Sequence, residues 1–342
     1  MVITMRANNV LGIIYSNAYD SVLSELTNAR TMGSVPFGGR YRLIDFALSN
    51  LVNCGINKVG IITKSNYQSL MDHIGTGKPW DLSRKRGGMF LLPPFNNSHT
   101  GMYRDRIQAL RGIMRFLEQS KEEYIVLMDT NVVCNFDLND MCRAHTESGA
   151  DITIAYHHGR APRLDDLMTF TFEENQKVAK IALDPKTSNP VDYAMNIILI
   201  SKALLTRLIN NAVSLNQDSF VRDVIQHNLK RLNIYGYEVS GFTSVFDSLQ
   251  SYYDISMSLL DPANCQELFT RERPVYTKVR DDMPAIYGLG STVKNSLVAD
   301  GCSIDGEVEN CILFRGVQIG KGAVVRNSII MQGTYILSLI HI

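Results

Sequence analysis

Apolar and polar positions follow two different rhythms along this chain. Residues 10–15 (VLGIIY) form a short unbroken apolar run, which predicts a strand buried on both faces. Residues 43–51 then place Leu43, Phe46, Ala47 and Leu51 on one face at helical spacing. The pairing recurs: strand at 58–63 (KVGIIT), helix at 65–73, a longer helix at 105–117, strand at 124–128 (YIVLM), helix at 137–146, strand at 152–156. Strands alternating with helices predict a mostly parallel sheet covered on both faces. From 168 to 201 the β-like segments follow one another without helices, an antiparallel excursion, and helices at 220–229 and 248–259 close the unit.

The tail changes period. The pattern V-x-N-[SC]-[LI]-[VLI]-x-x-G-x-x-I starts at Val293, Val308 and Val325, 15 and 17 residues apart. That is close to one coil of a parallel β-helix, in which a short apolar residue points inward about every six positions and Gly or Asn turns the corners. The expected organisation is therefore an α/β domain at 1–260, a linker at 261–285 carrying Pro262, Pro274 and Pro284, and a β-helix at 286–342. After Ile336 the repeat stops on an apolar stretch (LSLIHI) with no polar cap, so the β-helix is expected to be truncated there or to carry a non-native tail.

Composition narrows the function. At 342 residues two domains are the default. Lysine plus arginine and aspartate plus glutamate both number 34, so no long-range positive field exists to attract nucleic acid or an anionic membrane. The six cysteines form no CxxC pair, which points to reduced thiols in a cytoplasmic protein without thiolate metal sites. No signal peptide or bilayer-length apolar run is evident.

Residues 37–50 read FGGRYRLIDFALSN. This stretch resembles the signature of the ADP-glucose pyrophosphorylases, the glucose-1-phosphate adenylyltransferases of bacterial glycogen synthesis. The likeness continues through Leu26-Thr-Asn28, Val59-Gly-Ile-Ile-Thr63, Tyr103-Arg104, Glu123-Tyr-Ile-Val126, Phe220, Asp223-Val-Ile225 and the repeat tail. It implies a doubly wound, mostly parallel-sheet nucleotidyltransferase domain followed by a left-handed parallel β-helix, assembled as a tetramer.

Against that family the chain departs at the places where charge is handled. The Gly-rich A-G-G-x-G-T-R-L loop, whose N–H groups and arginine meet a triphosphate, matches SNAYDSVL at 16–23. Its glycines are gone, Val22 replaces the arginine, and Asp20 adds a negative charge. The family's two metal-binding aspartates match Asn131 and Val245, and Mg²⁺ requires hard anionic oxygens. Asp129 and Asp247 lie two residues away, a shift of roughly 6–7 Å along a strand. The nucleotide segment G-T-A-D-A matches Asp105-Arg-Ile-Gln-Ala109, the sugar-phosphate lysine matches Asp184, and the K-P pair after the Gly-rich loop matches Met32-Gly33. These losses imply no catalytic residue, no metal and no cofactor. They imply a subunit like the regulatory-type chain that some bacteria pair with a catalytic one, in a hetero-tetramer, or forming a homo-oligomer alone. The alternative is a competent nucleotidyltransferase whose metal site has been rebuilt on Asp129 or Asp247. A β-helix acyltransferase would need a general-base histidine, and the tail offers only His341. A sugar-phosphate or nucleotide sensor without an enzyme partner is the least specific reading.

The resemblance further implies an anionic effector site at Arg30 and Arg42, whose planar guanidinium suits phosphate; Arg40 lies between them, and the family's neighbouring lysine matches Ala29. Lys78, Arg84, Lys85 and Arg86 read as a solvated loop rather than an anion contact. His157-His158 reads as a surface strand end rather than a metal site, and Asp151 and Asp223 as punctuation.

Overall fold

The computed structural model describes residues 7–94, 103, 105–184 and 187–337. Arg104 and residues 338–342, His341 among them, lie outside the described residues. Nine strands build the main sheet: β1 (Val10–Tyr15), β2 (Lys58–Ile62), β3 (Gly88–Leu92), β4 (Tyr124–Asp129), β5 (Ile152–Gly159), β6 (Met168–Phe172), β7 (Val178–Leu183), β8 (Val191–Ser201) and β9 (Ile234–Glu238). Their order is β9-β5-β8-β4-β1-β2-β3, with the β6–β7 hairpin attached to β8. β8 runs antiparallel to β4 and β5, while β4, β1, β2 and β3 are mutually parallel. The chain winds outward from β1 through β2 to β3, then crosses back to place β4 on the other side of β1. That reversal opens a crevice at the carboxyl ends of β1 and β4, where Tyr15 and Asp129 are paired in register.

Helices α1 (Leu43–Asn53), α2 (Gln68–Ile74), α3 (Arg106–Gly112), α4 (Met114–Gln119), α5 (Leu138–Ser148), α6 (Lys202–Ser214), α7 (Leu249–Ser258) and α8 (Pro262–Leu268) cover the sheet and its flank. α1 buries Leu43, Phe46, Ala47 and Leu51, the face its spacing predicts. It packs close because β1 carries Gly12, where an added Cβ would stand 2.6 Å from Leu51 Cδ1.

Two expectations change. The helix anticipated at 105–117 is broken at Ile113, directly after Gly112, into α3 and α4. Glycine's backbone entropy makes it the weakest helical position of that segment. The 261–285 stretch begins as α8, started by Asp261 with Pro262 in its first turn, and Leu268 is fully buried. The rest of that stretch is extended but bound: Asn53 Nδ2 donates to Pro274 O at 3.0 Å, and the Tyr276 N–H donates to Ser49 Oγ at 2.9 Å.

The tail is a parallel β-helix. Residues 286–287, 303–304, 318–319 and 335–336 stack as one face, and 292–298, 307–313 and 324–330 as the others. Ile304, Val308, Cys311, Leu313, Val317 and Ile319 fill its interior. Asn295, Asn310 and Asn327 turn the same corner in the left-handed conformation. The β-helix docks on the first domain: Tyr253 OH on α7 donates to Asn327 O at 2.7 Å, and Leu297, Ile329 and Met331 join the cluster around Phe37, Phe46 and Phe246.

Candidate functional sites

The switch-point crevice is filled from within. Asp129 ends β4, fully buried, and its carboxylate accepts from Arg106 Nη2 on α3. The guanidinium lies 4.7 Å over the Tyr15 ring and 5.8 Å from that of Phe220, while Nη1 has no hydrogen-bond partner. Burial alone would pull the Arg106 pKa down; Asp129, Tyr15 and Tyr19 together more than offset this and hold it above its ordinary value. Tyr19, in the left-handed conformation, closes the crevice, with its hydroxyl accepting from Asn196 Nδ2 at 3.0 Å. A cleft of about 280 Å³ remains beside the pair, lined by Tyr15, Tyr19, Tyr103, Lys64, Asp105 and Arg106 among others.

The loop after β1 is organised by Asp20. Its Oδ1 accepts the Met32 N–H at 2.7 Å and its Oδ2 accepts from Asn17 Nδ2 at 2.6 Å. Asn17 Oδ1 in turn accepts the Lys64 N–H at 2.7 Å, tying the loop to the end of β2. Burial, opposed by these hydrogen bonds and by Lys64, pushes the Asp20 carboxyl up to about 6.

The residues at the family's metal positions do not fit Mg²⁺. Asn131 is fully buried with its amide unpartnered, and Val245 has no donor atom. Of the two carboxylates weighed as replacements, Asp129 is committed to Arg106. Asp247 Oδ2 accepts the Arg163 N–H at 2.7 Å, and its Oδ1 accepts from Ser248 Oγ at 2.9 Å. Asp184 turns a corner in the left-handed conformation and accepts the Leu167 N–H at 3.1 Å.

A second site lies where the two domains meet. A cavity of about 360 Å³ is lined by Arg30, Arg40, Arg42, Arg280 and Arg315, with Glu25 the one acidic residue on its wall. The first three come from the segment leading into α1, Arg280 from the extended connection and Arg315 from the β-helix. Arg42 Nη1 is held by Ser69, 2.6 Å from its carbonyl and 2.9 Å from its hydroxyl. Burial, and then neighbouring Arg30 and Arg280, pull the Arg42 guanidinium down to about 10. Burial and then Arg280 likewise lower Arg315, whose Nε lies 3.9 Å from Asp282 and 4.0 Å from Asp300. Arg40 differs, its hydrogen bond to the Tyr41 hydroxyl holding it above its ordinary value; five guanidiniums around one cavity nevertheless make a positive site that an anion would complement. Below it, His73 Nε2 sits 2.6 Å from Asp45 Oδ1.

The structure thus brings Arg30, Arg40 and Arg42 together. Arg280 and Arg315 escaped the sequence reading because they lie more than 200 residues downstream with no local motif; only the docking of the β-helix makes them neighbours. Arg106 and Asp20 carried a signal, since each puts a charge at a position where the family pattern has an uncharged residue. Lys78, Lys85 and Arg86 are exposed, and Arg84 pairs with Asp81. His158 pairs with Asp192 at 2.7 Å at the end of β5. Asp151 and Asp223 accept backbone N–H groups, from Asn233 at 2.8 Å and Ser219 at 3.0 Å.

Comparison with known proteins agrees with this layout. The Nucleotidyl transferase family profile matches residues 12–246, and the GlmU-like, C-terminal hexapeptide profile matches residues 286–342. The chain is 37% identical over 322 residues to the glycogen biosynthesis protein GlgD of Bacillus subtilis (strain 168), covering 94% of this chain and 84% of that one. To GlgD of Geobacillus stearothermophilus it is 39% identical, covering 93% and 83%. It is also 31% identical to a glucose-1-phosphate adenylyltransferase of Clostridium botulinum (strain Alaska E43 / Type E3), covering 95% and 85%.

Proposed function

Because the chain belongs to the nucleotidyl transferase family, among the glucose-1-phosphate adenylyltransferases and GlgD-named glycogen biosynthesis proteins, we propose that it is a non-catalytic regulatory subunit that modulates a catalytic ADP-glucose pyrophosphorylase partner. The observation that carries this reading is the pair Asn131 and Val245. Adenylyl transfer from ATP needs a divalent cation between carboxylate and phosphate, and these side chains supply no anionic oxygen.

The five-arginine cavity supports the regulatory half. An anion seated there would be gripped by Arg30, Arg40 and Arg42 from one domain, by Arg315 from the other, and by Arg280 from the connection. Its charge would hold the β-helix against the first domain. We assign Arg30 and Arg42 to this effector site, with Arg40, Arg280 and Arg315 completing it. The partner is a catalytic subunit of the same family, the assembly a hetero-tetramer or, without that partner, a homo-oligomer, and the setting the cytoplasm. Among the described residues no helix is long and apolar enough to cross a membrane.

The test is ADP-glucose formation from ATP, glucose 1-phosphate and Mg²⁺ by this chain alone and mixed with a catalytic relative. Silence alone, with a changed rate or effector response in the mixture, is the expected result. Brisk synthesis by the chain alone would overturn the proposal.

A further inference from the structure

Two carboxylates at the switch point are already partnered by the protein itself: Asp20 in the loop after β1 and Asp129 at the end of β4. A carboxylate that receives one main-chain N–H and one side-chain amide, as Asp20 does from Met32 and Asn17, is coordinated as a loop after a parallel strand coordinates a phosphate. Nearby, Arg106 on α3 supplies positive charge to the strand-end carboxylate of Asp129, two residues before Asn131, so that this carboxylate is already partnered by a cation. The loop is thereby complete without a ligand: Asn17 also donates to Ser65 O at 3.1 Å, and the Gly33 N–H closes onto Ser16 O at 3.0 Å.

Building on the reading that this cleft does no chemistry, we propose that Asp20 and Arg106 are resident substitutes for the anion and the cation of a nucleotide complex. They act as specificity determinants that set the cleft against polyphosphates. An incoming phosphate finds its N–H donors already taken by a negative group, and an incoming cation finds Asp129 already neutralised. An ordinary loop cap would behave differently, because its removal would loosen the loop without creating a place for a second anion.

The difference is measurable with tripolyphosphate, an adenine-free polyanion, followed by calorimetry and thermal shift at fixed ionic strength. A chain carrying Arg30→Ala, Arg42→Ala and Arg315→Ala serves as the parent, which strips the arginine cavity of three of its five guanidiniums. The parent is expected to show no saturable binding at the crevice. Adding Asp20→Gly, which frees the Met32 N–H and the Asn17 amide, should raise tripolyphosphate affinity at least tenfold. Asp20→Asn, which keeps an acceptor and removes the charge, should raise it less and covers the case in which the glycine variant fails to fold. Adding Arg106→Thr to Asp20→Gly should make binding depend on Mg²⁺ through the released Asp129. A folded Asp20 variant with the parent's affinity, or a parent that already binds tripolyphosphate tightly, overturns the role of Asp20. Mg²⁺-independence after Arg106→Thr overturns that of Arg106. Synthesis of ADP-glucose by the unaltered chain would remove the non-catalytic reading itself, whereas unchanged affinities without synthesis remove this inference alone.

Discussion

His73 Nε2 and Asp45 Oδ1 meet at 2.6 Å beneath the arginine cavity, and both side chains are almost wholly out of solvent. The other oxygen of Asp45 accepts the Arg42 N–H at 3.0 Å, closing the first turn of α1. One carboxylate therefore fixes both the backbone of a cavity arginine and the imidazole on the cavity wall. Asp45→Ala leaves an orphaned N–H at the helix start and a buried histidine without its partner. A loss of about 2–4 kcal/mol is expected from denaturant unfolding, the sum of a lost cap and a lost charged hydrogen bond. A loss under about 0.5 kcal/mol would mean the pair is dispensable.

Arg42 should be sensitive to shape as well as charge. Its guanidinium reaches Ser69 while facing the cavity, an arrangement that a lysine ammonium cannot reproduce. Arg42→Lys is expected to weaken binding of a phosphorylated effector about tenfold, and Arg42→Ala by more, with little change in melting temperature. Equal affinities in a titration with a sugar bisphosphate would remove Arg42 from the site.

The Arg106–Asp129 pair makes an asymmetric stability prediction. Removing Arg106 alone leaves a carboxylate fully buried beside Tyr15, at a cost of about 3–5 kcal/mol. Removing both charges, as in Arg106→Met with Asp129→Leu, should recover most of that loss, because the desolvation of both ions disappears with their attraction. A double-mutant cycle checks this; additive losses would show that the pair is not the unit that matters.

At the β-helix corner, Asn295 Nδ2 donates to Asn310 Oδ1 at 2.8 Å and Asn310 Nδ2 donates to Asn327 Oδ1 at 3.2 Å. Each residue also has positive φ, which asparagine tolerates better than other non-glycine residues. Asn310→Ala loses two amide bonds and strains the corner, and should cost about 1–3 kcal/mol. Asn310→Gly relieves the strain but not the bonds, so thermal melts should place it between alanine and the native chain.

The repeat tail was legible because a β-helix is local: each coil repeats the same inward apolar and corner residues, so three copies in sequence describe the structure. The parallel core was legible for a related reason, since runs such as 10–15 and 124–128 are apolar on both faces. The break at Gly112 and the helical start of the connection were less so, because a single glycine or proline is compatible with either outcome until packing decides. The arginine cavity is the opposite case. Arg42 sits within the recognisable 37–50 segment and Arg30 two residues after Leu26-Thr-Asn28, but Arg280 and Arg315 join them only through tertiary docking. Missing residues were easier to see than what stands in their place: the absent loop glycines stand out in sequence, whereas the bonds from Asp20 to Met32 and Asn17 are set by how the loop folds back.

His145 supplies a pH dependence whose sign can be fixed. It sits on α5, buried, with Nδ1 2.8 Å from Thr153 Oγ1 and its ring edge-on to Tyr124 at 5.8 Å. Burial pulls its pKa down to about 4, with Asp151 opposing. An unfolded histidine titrates near 6.5. Between these values the unfolded chain binds a proton that the folded chain refuses, so acidification favours unfolding. His145 therefore subtracts stability as pH falls from about 6.5 to about 4, by up to about 1.4 kcal/mol for each pH unit, and is without effect above that window. Asp20 has the opposite sign: its raised folded value makes its ionisation a cost that is relieved as pH falls from about 6 towards the ordinary carboxylate range. The two contributions overlap, so the whole protein's profile does not isolate either. Comparing the native chain with His145→Gln at pH 7, 6, 5 and 4.5 does, since the Asp20 contribution is common to both. The gap in unfolding free energy should change in the variant's favour as pH drops. A gap that stays constant over that range would place the His145 imidazole in contact with water.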